Sequence, residues 1–357
     1  MRIAHQNWPL RHIIILFFSV VYSISLIAFD AKKIDQYLQT HKNFSGAVLI
    51  ATGDTTILKK GYGKANYEFD IANDEHTKFC IASNSKTFTA VAIMQLQEKK
   101  LLNVQDQLCK YIPDFSEGDT ITIHHLLTHT SGIQNYYKQW ADIGTCPDLA
   151  VMVAKIKAWE LEFEPGCKYA YSNTGYLLLA YIIEKISGLS FEQYLQKNIF
   201  APLNMHESGS VCSGNVIKNK ASGYVLQNGK LCNASYIQSP LTLVGNGDIY
   251  SSLHDLHIFY DALFAGKIIT KNSLETMMAQ HVPMEGSNER FHGYGFFIDN
   301  IEGKRIVEYS GGLVGYLSKV VRFIDGGVTI VIVTNVEDRD EFAKICEDLL
   351  KLVATGN

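Results

Sequence analysis

The chain has 357 residues, 47% hydrophobic and 19% charged, the make-up of an ordinary folded protein with room for one two-lobed domain or two domains. A formal net charge of -4, with no basic run interleaved with aromatics, excludes nucleic acid as the expected partner. The missing Gly-x-Ser-x-Gly elbow, phosphate loop and dinucleotide fingerprint speak against three familiar enzyme classes.

Arg2 and Arg11 precede an almost unbroken apolar stretch from Ile13 to Phe29, with Ser23, Ser25 and Ala28 near its end. This pattern predicts a secretory signal peptide over residues 1–29, the alternative being an uncleaved N-terminal anchor. Residues 30–357 are then expected in the periplasm or outside the cell, meeting a membrane only if the segment is kept as an anchor. No cysteine follows the run, which speaks against a lipoprotein. Export would set Cys80, Cys109, Cys146, Cys167, Cys212, Cys232 and Cys346 in an oxidising compartment. Cys212 and Cys232 flank a polar excursion and are the pair expected to bridge; the alternative is that all seven are small buried apolar residues. Asn43-Phe44-Ser45 and Asn233-Ala234-Ser235 match glycosylation acceptors, of consequence only in a eukaryotic secretory pathway.

Along the chain, Gly46 to Ala51, a Gly53-Asp54 turn and Thr56 to Lys60 predict a β-hairpin. From Ser83 to about Lys99 the pattern is a helix apolar nearly all round (Val91, Ala92, Ile93, Met94, Leu96), hence a buried one. The middle, to about Ser239, is mostly helical, its best-defined helix running from Gly175 to Ser187. Tyr316 to Ile324, Asp325-Gly326-Gly327 and Val328 to Val333 predict a second hairpin, and a last helix is expected from about Glu337 to Val353. This order predicts an α+β fold: an antiparallel sheet drawn from both chain ends and flanked by helices, with a mostly helical lobe inserted. The α/β lobe is expected over about 30–85 and 240–357, the helical lobe over about 86–239.

Ser83 stands where loop becomes buried helix, and Lys86 follows one turn later on the same face. A serine hydroxyl needs a base close by. A lysine serves only if its pKa falls from about 10.4 toward neutrality, roughly 3 units or about 4 kcal/mol of bias against the charge, and burial supplies that bias. The helix start adds partial positive charge for an oxyanion. The bland alternative is that Ser83 caps the helix. Tyr171-Ser172-Asn173 follows a Pro165-Gly166 turn and precedes a buried helix. A phenol near an amine can relay a proton and Asn173 can hold a substrate amide, although Tyr-x-Asn is also common turn chemistry. Tyr309-Ser310-Gly311-Gly312 ends an apparent strand, Arg305 to Glu308, and its Gly pair admits a ligand close to the backbone.

Ser83-x-x-Lys86, Tyr171-x-Asn173 and Tyr309-Ser310-Gly311, in that order, resemble the three active-site motifs of the beta-lactamase and penicillin-binding-protein family. The match is nearest to the class C, D-alanyl-D-alanine carboxypeptidase and esterase branch. His125-Leu126-Leu127-Thr128-His129-Thr130-Ser131-Gly132, Pro202-Leu203-Asn204-Met205 and Gly247-Asp248-Ile249-Tyr250-Ser251-Ser252 are similar to that branch too. The resemblance implies a beta-lactamase/transpeptidase-like fold with its site between two lobes and no cofactor. Ser83 would be the acylated nucleophile, Lys86 its activating partner and Tyr171 the proton relay. Asn173, Tyr309, Ser310 and Gly311 would bind substrate, and the N–H groups of Ser83 and Gly312 would form the oxyanion hole.

Relatives that bind a substrate carboxylate carry Lys or His where this chain has Tyr309, which offers a hydrogen bond but no charge near neutral pH. Arg290, Arg305 and Lys319 are the residues that might supply it. The expected function is therefore an exported serine hydrolase forming an acyl-enzyme on the peptide or ester bonds of a small-molecule or cell-envelope substrate, D-alanyl-D-alanine carboxypeptidase-like or an esterase. The alternatives are an antibiotic-hydrolysing beta-lactamase and a catalytically silent ligand-sensing module. His125 and His129 share the i, i+4 spacing of a metal pair, but no Glu follows His125, so no metal is expected.

Overall fold

A computed structural model of the chain describes residues 31–53, 55–139, 148–234, 240–284, 286–287 and 289–355. The expected signal or anchor, Asp54, Cys146 and Ser235 lie outside them. No helix among the described residues is long and apolar enough to cross a membrane.

The fold is α+β, built on an antiparallel sheet contributed by both ends of the chain. Its strands are β1 (Gly46–Thr52), β2 (Thr55–Tyr62), β3 (Val282–Pro283), β4 (Phe291–His292), β5 (Phe297–Ile301), β6 (Lys304–Leu313), β7 (Tyr316–Phe323) and β8 (Val328–Thr334), in the order β3-β4-β5-β6-β7-β8-β1-β2. Both expected hairpins are present, and β1 joins them by pairing with β8 in the register Val48↔Ile332 and Ile50↔Ile330. Antiparallel sheets often leave one face wet. Here both faces are covered, which is why β1 and β8 read as unbroken apolar runs. Ala47, Leu49, Val331 and Val333 enter the larger core, while Val48, Ile50, Ile330 and Ile332 enter the smaller one. The smaller core is closed by α1 (Ala31–Thr40) and the last helix, α5 (Arg339–Thr355), through Ile34, Leu38, Ile345 and Leu349.

The larger core is centred on α2 (Ser85–Glu98), 12 of whose 14 residues are buried. Such a helix has no wet face, as its sequence predicts. Phe88 stacks on Phe259 of α4 (Leu253–Phe264) at 3.8 Å, and α3 (Asn173–Ser187) packs beside α2. Ser172 caps α3 by accepting the Gly175 N–H, and Gly188 ends it in the left-handed conformation that glycine adopts without penalty.

Three expectations are corrected. The strand at Arg305–Glu308 does not end at the glycine pair but runs on to Leu313, because β7 pairs with it along Ile306–Leu313. The last helix starts at Arg339, since Val336–Glu337 forms a short strand beside Tyr224–Val225. Cys212 and Cys232 do not bridge each other: Cys212 lies on the turn Val211–Ser213 packed against the core, and Cys232 lies in a hairpin strand.

Candidate active site

Ser83 sits in the middle of a 3₁₀ turn, Ala82–Asn84, that feeds directly into α2. Ala82 adopts a φ of 48°, a left-handed conformation a side chain rarely takes and the kind of strain that clusters at functional sites. The turn is pinned by three hydrogen bonds, two to β7 and one to Ile249. Ser318 of β7 donates to the Ile81 carbonyl at 2.7 Å and accepts from Asn84 Nδ2 at 2.8 Å. Ser85 Oγ accepts the Ile249 N–H at 3.0 Å. Ser83 does not cap the helix: the Ncap position is Asn84, with no side-chain cap bond. Its hydroxyl is left for other partners.

Those partners are Lys86 and Tyr171. Lys86 Nζ lies 3.1 Å from Ser83 Oγ, and Tyr171 Oη lies 2.8 Å from the same atom. Lys86 is fully buried, and Nζ also donates to Asn173 Oδ1 at 2.8 Å and to the Asn246 carbonyl at 2.7 Å. Both carbonyl oxygens can only accept, so each takes a hydrogen of the amine, and in the neutral form the remaining lone pair would face the Ser83 hydroxyl. Burial holds the Lys86 amine well below its ordinary pKa. Burial raises the Tyr171 phenol to about 12, against the opposing influence of Ser83 and Tyr309. The set is a buried amine of lowered basicity and a buried phenol converging on one hydroxyl. That arrangement can deprotonate a nucleophile and return the proton to a leaving group.

The third motif lies on β6. Pairing with β5 stops at Glu308, so Tyr309–Leu313 are paired by β7 alone and their other edge is unpaired among the described residues. This edge passes close to Ser83. A Cβ on Gly311 would stand 2.4 Å from the Ile81 oxygen and 2.9 Å from the Ser83 nitrogen, so the approach requires glycine there. Tyr309 faces inward, buried beneath Phe297 and His292, and its hydroxyl faces Tyr171 without reaching hydrogen-bond geometry. Ser310 and Gly312 belong to the opposite face, where with Arg339, Phe342 and Cys346 they line a hollow of ≈ 520 Å³ against α5. The strand's pleat thus separates Ser310 from Tyr309.

Arg290 and Lys319 are both drawn into ion pairs with Glu308. Arg290 binds Glu308 at 2.6 Å and Asp299 at 3.4 Å, Lys319 pairs with the same Glu308, and Arg305 stands near the far end of β6 opposite Asn300. His125 and His129 go to different places. His125 makes a capping box with Thr122, whereas His129 is buried against Tyr171. Two neighbours are not assigned to the site from the sequence: the Asn246 carbonyl, and His129, which enters there only as half of a metal pair and as part of a family-like segment. For Asn246 the usable signal was its place between Gly245 and Gly247, since paired glycines mark close backbone approach.

Comparisons with known proteins place the chain in a family. A family model described as Beta-lactamase matches residues 31–355. The chain is 32% identical to the putative penicillin-binding protein PbpX of Bacillus subtilis (strain 168), over 90% of this chain and 78% of that one. It is 27% identical to a teichoic acid D-alanine hydrolase of Staphylococcus aureus (strain MRSA252), over the same shares. Among solved structures, a penicillin-binding protein from Bacillus halodurans superposes with a TM-score of 0.78 and 27% identity, covering 88% of this chain and 98% of that one. With the fold and nearly the whole described chain matched, the protein belongs to the beta-lactamase family and is one of its penicillin-binding-protein-like serine hydrolases.

Proposed function

We propose that Ser83 attacks an ester or amide carbonyl, with Lys86 as base and Tyr171 as proton carrier, on acyl groups that bear no carboxylate. The carrying observation is the Lys86 environment: a buried amine whose two shortest contacts are to carbonyl oxygens and whose third is to the Ser83 hydroxyl. Nζ takes the hydroxyl proton as Oγ bonds to the carbonyl carbon. The resulting oxyanion is met by the N–H groups of Ser83 and Gly312, each such donor contributing about 2.7–4 kcal/mol to lowering the barrier. The proton passes by way of Tyr171 to the leaving alkoxide or amine. A water then cleaves the acyl-enzyme with the same pair as base.

Tyr309 supports the substrate class. It places an uncharged phenol where carboxylate-binding relatives carry a cation, and the neighbouring cations Arg290 and Lys319 are engaged by Glu308. The Staphylococcus aureus relative is named for hydrolysis of D-alanine from teichoic acid. A D-alanyl ester of that kind carries an ammonium and no free carboxylate, so D-aminoacyl esters or amides of the cell envelope are the proposed substrates. The basic-then-apolar start of the chain supports export, and residues 30–357 are read as one hydrolase unit.

The test combines covalent labelling by a fluorescent fluorophosphonate with a panel of D-alanyl esters, D-alanyl-D-alanine peptides and a chromogenic cephalosporin. Labelling of the wild type but not of Ser83→Ala, with turnover highest on the D-alanyl esters, is the expected result. Equal labelling of Ser83→Ala removes the nucleophile assignment. Turnover highest on the cephalosporin makes the protein a beta-lactamase instead.

A further inference from the structure

His129 is buried and holds a left-handed backbone, φ 59°, that few non-glycine residues adopt. Two hydrogen bonds reach it from the residues on either side of Tyr171. Its carbonyl accepts the Ala170 N–H at 2.9 Å, and its Nδ1 accepts the Ser172 N–H at 3.2 Å. The imidazole also lies against the Tyr171 ring, with centroids 4.5 Å apart, and against Tyr176 at 5.1 Å. Backbone, side-chain acceptor and ring face of one residue therefore all bear on the Tyr171 segment.

A backbone N–H only donates, so the Nδ1 it meets is the unprotonated nitrogen and the ring proton resides on Nε2. Protonation would turn Nδ1 into a donor facing a donor and would set a cation near Lys86. The titratable groups facing the ring are Lys86, Tyr169, Tyr171, Tyr176 and His292. Burial lowers the basicity of His129 well below the usual imidazole range, with His292 and Lys86 adding to the effect. The neutral tautomer that the geometry requires is also the one its surroundings favour.

We propose that His129 is a positioning residue of this site: by accepting the N–H groups on both sides of Tyr171 it holds the phenol in line with the Ser83 hydroxyl. The proposal rests on the reading of Tyr171 as proton carrier given above. It does not touch the reacting atoms. Its contribution is alignment, and a misplacement of about 1 Å in such a group can lower a rate by roughly 10²-fold.

Asparagine and glutamine separate this role from general packing. Asparagine carries its Oδ1 where imidazole has Nδ1, and it tolerates the left-handed backbone. Glutamine is equally polar but holds its acceptor one carbon farther out. On an alkyl D-alanyl ester, whose leaving group needs the proton, His129→Gln is expected to lower kcat by about 10²-fold, with KM held within about threefold and the acid limb of the pH profile displaced by about one unit. His129→Asn is expected to stay within about fivefold of wild type and keep its pH profile.

A folded His129→Gln with wild-type kcat and pH profile overturns the proposal, as does a His129→Asn impaired as much as the Gln variant. If the Gln variant does not fold, the Asn variant decides alone: retained turnover supports the clamp and lost turnover ends it. Fluorophosphonate labelling of wild type, run alongside, keeps two failures apart. A folded but unlabelled wild type removes the catalytic reading and this inference together. A labelled wild type with an unaffected Gln variant removes this inference only.

Discussion

At Lys86, two carbonyl oxygens and one hydroxyl surround an amine whose pKa burial lowers. Protonating it occupies the lone pair that faces Ser83, so kcat/KM falls as pH is lowered through the depressed Lys86 pKa. Above that point the profile stays level until Tyr171 ionises near 12. A pH series of kcat/KM on a D-alanyl ester checks this, and an acid limb as high as the ordinary lysine value refutes it. Replacing Tyr171 by Phe removes the proposed proton carrier, with an expected loss of about 10²–10⁴-fold for general acid–base catalysis. The loss is expected to be larger for an alkyl ester than for a p-nitrophenyl ester, whose leaving group needs no proton. Ser83, Lys86, Tyr171 and Asn173 were legible as residues because their types and spacing carry the chemistry. His129 and Asn246 were not. Each acts partly through its backbone, and residue type says little about where a carbonyl points.

The element that makes the site is β6, together with the turn it crosses. Gly311 is open to a direct test, since a Cβ there meets the Ile81 carbonyl, Ser318 Oγ and the Ser83 nitrogen at 2.4, 2.5 and 2.9 Å. Gly311→Ala is expected to push strand and turn apart, destabilising the fold by about 1–3 kcal/mol through overpacking and slowing acylation at Ser83. Thermal melts and labelling rates read the two effects. An Ala variant with wild-type melting and labelling contradicts the close approach. Element identity was largely readable: both hairpins, the buried helix after Ser83 and the final helix appear within a few residues of expectation. Ends were less so. The strand at Tyr309 extends past its glycines because a partner strand holds it, and local propensity does not contain that partner. The expected Cys212–Cys232 bridge fails for the same kind of reason, since loop composition does not state which strand or turn each cysteine will join.

Across the whole molecule, the strands of the main sheet that come first and last along the chain lie side by side. Val48 and Ile332 are direct partners in β1 and β8 and share the smaller core with Ile345 and Leu349 of α5. Truncating either to Ala removes contacts that the other also uses, so a double-mutant cycle is expected to show an interaction energy of about 0.5–3 kcal/mol. Additivity within experimental error would mean that the two ends are not energetically joined at this pair.

From residue types, periodicity and motif order followed the α+β class, the buried helix after Ser83 and the serine, lysine and tyrosine that meet at the site. Hydrophobic pattern is local and survives in one dimension. The tertiary structure alone decided that Lys86 is ringed by carbonyl oxygens, that Glu308 engages both Arg290 and Lys319, and that His129 reaches both sides of Tyr171. Those are contacts between distant parts of the chain, fixed by how the strands pair and how closely the backbone approaches itself.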